Sequence, residues 1–253
     1  MALVFTAQCF RLGGLRCSPL NAALAAFTVL QASGDILLIP LPSNYGDFDP
    51  AFATSWGRLE YPVTTTPRHY LDFALKDVEE CGEPKSERAL VNALSNAKRA
   101  LHLQVETIAK GFGFPKPERG YPNFHRYLEY CQKCGVVTPR ILKKLNSVRN
   151  AVEHEYYIPT ESETDDFIDV VELFLAATDK FIYQFPTYLE WLPGRTDNCV
   201  QFHITSIQLE PNTGCLMLVP DSDNPDDELH LDPSFDEFFI WLKQLSDAVH
   251  NKI

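Results

Sequence analysis

Four side chains in the run Arg149-Asn150-Ala151-Val152-Glu153-His154-Glu155-Tyr156 have types and spacing suited to chemistry on an anionic substrate. An imidazole titrates near neutrality, so His154 suits the removal and return of a proton. The guanidinium of Arg149 offers a fixed fork of donors to negative charge developing on an oxygen, and Asn150 can orient either these groups or the substrate. On a helix, at about 100° per residue, the apolar stripe through Leu145 and Val152 faces away from Asn150, His154 and Tyr157. Arg149 and Tyr156 fall on the margin of that stripe. One side of such a helix end therefore presents guanidinium, amide, imidazole and phenol together. A single helix cannot wrap these groups round a phosphate, whereas a twofold-related copy can, because an isologous interface brings the same residues together from both subunits.

Helices must hold such a constellation, and the middle of the chain is patterned for them. Thr66-Pro67 reads as a helix start, with Leu71, Leu75 and Val78 on one face. Residues 86–111 carry Leu90, Leu94, Ala97, Leu101, Val105 and Ile108 on one stripe, which predicts a long amphipathic helix. A second helix is expected over 123–134, and a third over 139–156, where Ile141, Leu145, Val148 and Val152 recur on one face. A fourth opens with a capping box, Thr160 with Glu163, and runs through Phe167, Val171, Phe174, Thr178 and Phe181 until Pro186 stops it. These last four patterns predict a four-helix bundle of roughly a hundred residues, with the Arg149–His154 run late in its third helix. Arg119-Gly-Tyr-Pro-Asn-Phe-His125 has a similar Arg-to-His spacing, but Gly120 and Pro122 are incompatible with a regular helix there.

In these residues the chain resembles the HEPN superfamily, an all-α bundle whose signature is Arg, four to six residues, then His, commonly with a polar residue directly after the Arg. Asn150 fills that polar position. Arg149-x4-His154-x-Tyr156 is further similar to the HEPN toxins paired with a nucleotidyltransferase antitoxin, in which that tyrosine is the target of adenylylation. The resemblance spans residues 86–185 and covers neither end of the chain. It implies a homodimer with a composite cleft and a metal-independent endoribonuclease without cofactor, with Arg149, Asn150, His154 and Tyr156 as the catalytic set. The implied reaction is attack of the ribose 2′-hydroxyl on the adjacent phosphorus, leaving a 2′,3′-cyclic phosphate and a 5′-hydroxyl. A toxin, defence or RNA-processing role is implied, with a separate antitoxin or nucleotidyltransferase as a partner. No Gly-Ser motif with paired aspartates supplies that transferase in this chain. Family members that bind without cutting leave open a second expectation, an RNA- or nucleotide-binding dimerisation module. A plain structural reading also exists, in which Arg149 pairs with Glu153 at i+4 and His154 is a surface imidazole.

Charge distribution bears on the partner. The chain of 253 residues has a formal net charge of −12, which by itself argues against nucleic acid. Residues 115–150, however, hold eight basic residues (Lys116, Arg119, Arg126, Lys133, Arg140, Lys143, Lys144 and Arg149) against Glu118 and Glu129, so this segment is +6 and the remainder −18. Arg140, Lys143, Lys144, Arg126 and Lys133 are therefore the expected RNA-binding residues.

The remaining sequence predicts an α+β fold, mainly α, in which the bundle is flanked by N-terminal α/β elements and a C-terminal β-hairpin plus helix. The expected segments are 1–65, 66–186 and 187–253. The first contains an apolar stretch over 2–6, a helical stretch over 21–31 and a strand over 35–41. In the last, Val200, Phe202 and Ile204 alternate with polar residues, a turn follows over 210–214, a second strand over 215–220, and a final helix over 234–250. At 45% hydrophobic and 12% aromatic residues the chain has the apolar content to fold. No apolar run is long enough for a membrane span, the first fifteen residues lack the marks of a signal peptide, and seven irregularly spaced cysteines read as free thiols of a cytoplasmic protein. Cys131-x2-Cys134 is half a zinc site without its other half, so no metal is expected. The acidic run over 221–228 lacks the glycine of a calcium loop, and Gly111-Phe-Gly-Phe reads as a helix stop.

Overall fold

The computed structural model describes residues 27–32, 35–42, 53–79, 86–115, 123–136, 158–190, 204–220 and 228–251. Among the described residues the fold is α+β and mainly helical. The chain divides into two compact units, Arg58–Phe185 and Met1–Gly57 together with Pro186–Ile253. The helical unit is inserted in sequence between the two parts of the other unit.

The helical unit contains α1 (Pro67–Glu79), α2 (Glu87–Gly111), α3 (Phe124–Lys133), α4 (Glu161–Thr178) and the short α5 (Lys180–Tyr183). Helix α2 is its centre, with α1, α3 and α4 all packed on it and α1 also against α4. Its sequence explains why. Leu90, Leu94, Leu101, Val105 and Ile108 supply a buried apolar surface, while Ala93, Ala97 and Ala100, all fully buried, let neighbouring helices come close. Ser86 caps α2, its Oγ accepting the Ala89 N–H at 3.3 Å. At the other end a Cβ on Gly111 would lie 2.4 Å from Leu59 Cδ1, so only glycine admits this buried leucine against the helix terminus.

The capping box of α4 forms as its sequence predicts, the Thr160 N–H donating to Glu163 Oε2 at 2.9 Å and the Glu163 N–H to Thr160 Oγ1 at 3.3 Å. Its far end differs from expectation. The helix breaks at Asp179, α5 adds one turn, and the backbone leaves helical geometry at Gln184, whose φ is −133°. Pro186 does not stop the helix but sits inside a strand, because the backbone has already left helical geometry at Gln184. The helix expected over 139–156 lies outside the described residues.

In the other unit, β1 (Phe27–Ala32) and β2 (Asp35–Pro40) pair antiparallel, from Phe27 opposite Pro40 to Ala32 opposite Asp35. The helix expected over 21–31 is therefore corrected over its last residues. Phe27, Thr28 and Val29 are aromatic and β-branched, and a partner strand starts only two residues after β1, so pairing outweighs the helix-forming alanines before them. Among the described residues the other strands, β3 (Ala53–Gly57), β4 (Phe185–Glu190), β5 (Ile204–Glu210), β6 (Cys215–Pro220) and β7 (Leu229–Leu231), form one sheet in that order. All pairings from β4 to β7 are antiparallel.

The expected hairpin is β5–β6, its turn needing left-handed backbone at Asn212 (φ 66°) and Gly214 (φ 68°). Val200 and Phe202 lie outside the described residues. Period-two alternation separates the two faces of the sheet. The rung Leu189–Ile207–Leu218–Leu229 is buried, and the adjacent rung Tyr188–Gln208–Met217–His230 is at least partly exposed on the opposite face. Helix α6 (Asp236–Asn251) packs against β3 and buries Phe238, Trp241, Leu242, Leu245, Ala248 and Val249.

Candidate functional site

Of the nine residues that the sequence nominates, Arg126 and Lys133 are described; Arg140, Lys143, Lys144, Arg149, Asn150, His154 and Tyr156 lie outside the described residues. Both described cations are on α3. Asn123 caps this helix, its side chain accepting the Arg126 N–H at 3.0 Å. The helix is fixed to α2 by Phe124, Tyr127, Leu128, Tyr130 and Cys131, all buried. Tyr130 adds a directional bond, its hydroxyl donating to the Phe112 carbonyl at 2.8 Å. The end of α3 is closed by Gly135 in the left-handed region (φ 86°), with the Val136 N–H donating to the Cys131 carbonyl at 3.0 Å.

This anchoring leaves Arg126 and Lys133, seven residues apart, on one exposed face. At 1.5 Å rise per residue they stand about 10 Å apart along the axis. Arg126 also lies 6.0 Å from the centre of the Phe114 ring, which itself packs against Tyr127 and Tyr130. The guanidinium is thereby held over an aromatic cluster. Glu129 shares the face but is engaged by His125, whose Nε2 is 3.0 Å from its Oε1. Two cations on one rigid helix can hold the backbone of a polyanion. They supply no group able to move a proton.

Cys131 and Cys134, the half zinc site of the sequence, are both buried, and burial pushes both thiols well above their usual pKa. The Cys131 thiol donates to the Val105 carbonyl at 3.5 Å. These are packing residues of the α2–α3 contact.

A polar network absent from the sequence reading lies where α4 breaks. Gln104, fully buried on α2, accepts from the Tyr61 hydroxyl at 2.8 Å and donates to Thr178 Oγ1 at 3.1 Å and Asp179 Oδ1 at 3.2 Å. Arg68 on α1 completes it with a 2.6 Å bond to Asp179 Oδ2, and this bond raises the Arg68 pKa. Burial pushes the Tyr61 hydroxyl upward as well, followed by the influence of Tyr183 and Asp179, so it stays a donor at neutral pH. The network ties α1, α2 and the α4–α5 junction together. The one signal in the sequence is a glutamine on the core-facing side of an amphipathic helix. Gln104→Leu keeps the size but leaves these partners unsatisfied, and is expected to cost about 2–3 kcal/mol. Urea denaturation followed by circular dichroism checks this; a loss below about 0.5 kcal/mol, typical of a surface change, would contradict the network's role.

Comparison of the chain with protein-family models, with curated proteins and with solved structures finds no match, so its function has to be argued from its own residues.

Proposed function

We propose that the chain is a HEPN-type, metal-independent endoribonuclease that acts as a homodimer. The reading is carried by one observation, the sequence Arg149-Asn150-x3-His154-x-Tyr156 in the stretch that joins α3 to α4. Its support is the surrounding helical unit, in which α3 and α4 both pack on α2, together with the exposed Arg126 and Lys133 at the start of the basic segment.

In this reading His154 takes the proton from the ribose 2′-hydroxyl as its oxygen bonds to the adjacent phosphorus. The bond from phosphorus to the 5′-oxygen of the next nucleotide breaks, that oxygen takes a proton from solvent to leave as a 5′-hydroxyl, and His154 then gives its proton back to solvent. Arg149 offsets the charge that builds on the phosphoryl oxygens, Asn150 orients the phosphate, and Tyr156 completes the polar set. Arg126, Lys133, Arg140, Lys143 and Lys144 hold the flanking RNA backbone. A separate antitoxin or nucleotidyltransferase acting on Tyr156 is the partner this reading favours.

The reading is tested by incubating the pure protein with total cellular RNA in excess chelator. Cleavage by wild type that disappears in His154→Ala and Arg149→Ala is the expected result; equal cleavage by all three proteins would sink the proposal. Binding that persists in every protein while no RNA is cut would instead favour a non-catalytic RNA-binding module. For the two described cations the expectation is separate. Arg126→Ala and Lys133→Ala should each weaken binding evenly across RNA sequences and flatten the plot of log affinity against log salt by about 0.7 for single strands. A salt slope equal to that of wild type would remove the residue from the RNA path.

A further inference from the structure

The open face of the sheet carries a second group of chemistry-bearing side chains. Cys215 starts β6 directly after the hairpin turn, and Thr213 fixes it there. The Thr213 hydroxyl donates to the Glu210 carbonyl at 2.9 Å and accepts the Cys215 N–H at 3.1 Å. Met217, two residues on, shares the face of Cys215 and is paired in register with His230 on β7. Cys215 Sγ is 3.4 Å from His230 Nδ1, and His230 Nε2 is 3.5 Å from Glu228 Oε2. Cys215, Met217 and His230 line one groove of about 490 Å³ together with Tyr188, Gln208 and Glu210.

A reactive thiolate needs positive surroundings, and here they are negative. Burial foremost, then Glu210 and Asp232, raises the Cys215 pKa, so the thiol is not poised as a nucleophile. The same carboxylates favour a cation. The histidine is placed for one, with a carboxylate on one side, Glu228 Oε2 at 3.5 Å from Nε2, and the sulfur on the other, at 3.4 Å from Nδ1. Histidines that bind metals usually make this second contact to a carboxylate. The 3.4 Å between Cys215 Sγ and His230 Nδ1 is short enough for one metal ion to bond both atoms.

Among the described residues no third His, Cys, Asp or Glu side chain completes a metal-binding group, so the four-ligand set that structural zinc takes is not assembled. The third donor on this face is the thioether of Met217. Thiolate and thioether together select Cu(I), and imidazole also binds it. We propose that Cys215, Met217 and His230 form a Cu(I)-binding site on the open face of the sheet, with Glu228 as the positioning residue behind His230. On binding, the Cys215 S–H bond breaks, a sulfur–copper bond forms, the proton passes to solvent and copper stays in the +1 state. The site neither uses nor requires the nuclease chemistry proposed above.

The test is anaerobic titration of the reduced full-length protein with Cu(I) against a chromophoric Cu(I) chelator, with circular dichroism to show that each variant is folded. Wild type should hold one more equivalent than Cys215→Ser, which cancels any contribution from the other cysteines. Met217→Leu, a volume-conserving change, should weaken Cu(I) at this site at least tenfold and leave Zn²⁺ affinity unaltered. Glu228→Ala should weaken Cu(I) by about 10–100-fold, the usual effect of losing the carboxylate behind a ligating histidine. Equal Cu(I) stoichiometry in wild type and Cys215→Ser would overturn the site. Unchanged Cu(I) affinity in Met217→Leu would overturn its assignment to copper.

Discussion

Replacing His154 with alanine is expected to lower RNA cleavage by about 10²–10⁴-fold, the contribution a positioned general base makes. The effect should fall on the rate constant of cutting rather than on binding, because the residues proposed to hold the phosphate backbone, Arg126, Lys133 and the other basic residues of the segment, are all retained in His154→Ala. Arg149→Ala removes the cation proposed to face the transition-state charge, and a loss of about 10²–10³-fold is expected, as for a single oxyanion donor. If the two residues act in one step, the double variant will be little worse than the poorer single variant, since groups that act as a unit do not add. The ratio of single-turnover rates at saturating protein checks all three. Full multiplicativity would mean that the residues act independently, contrary to the proposed mechanism.

Trp241→Ala is expected to cost about 3–5 kcal/mol, the range for deleting a large buried aromatic side chain. Trp241 is fully buried on α6, beside Phe238, Leu242 and Leu245, which are buried to the same degree. A folded protein has only about 5–15 kcal/mol to lose, so this one change removes a large share of the stability. Leu173→Ala is the contrasting case. Leu173 is also a large apolar residue on a helix, but it is 70% exposed on α4, and its loss should stay within about 0.5 kcal/mol. Urea midpoints read by circular dichroism separate the two; a cost below about 1 kcal/mol for Trp241→Ala would contradict the burial that the fold assigns to it.

The helices were legible in the sequence to the extent that their signals are local. The stripe of α2 and the capping box of α4 are set by residues three and four apart, and both form as the spacing predicts. Sheet pairing is not local. β3 and β4 are neighbours in the sheet but stand on either side of the helical unit in sequence, and β4 contains a proline that reads as a stop. β7 is only three residues, Leu229-His230-Leu231, too short for alternation to show. The network around Gln104 was hidden for a related reason: its members Tyr61, Arg68 and Asp179 each look like an ordinary surface residue until the helices pack. Likewise Cys215 and His230 meet only through the register of β6 and β7. For the candidate nuclease site the balance is reversed, since Arg149, Asn150, His154 and Tyr156 stand out in the sequence and lie outside the described residues.

The chemistry of the cut ends tests the central proposal most directly. RNA treated with the protein in excess chelator should carry 2′,3′-cyclic phosphates and 5′-hydroxyls, and His154→Ala should produce neither. Ends with a 3′-hydroxyl and a 5′-phosphate, or cleavage that requires an added divalent metal, would contradict the account.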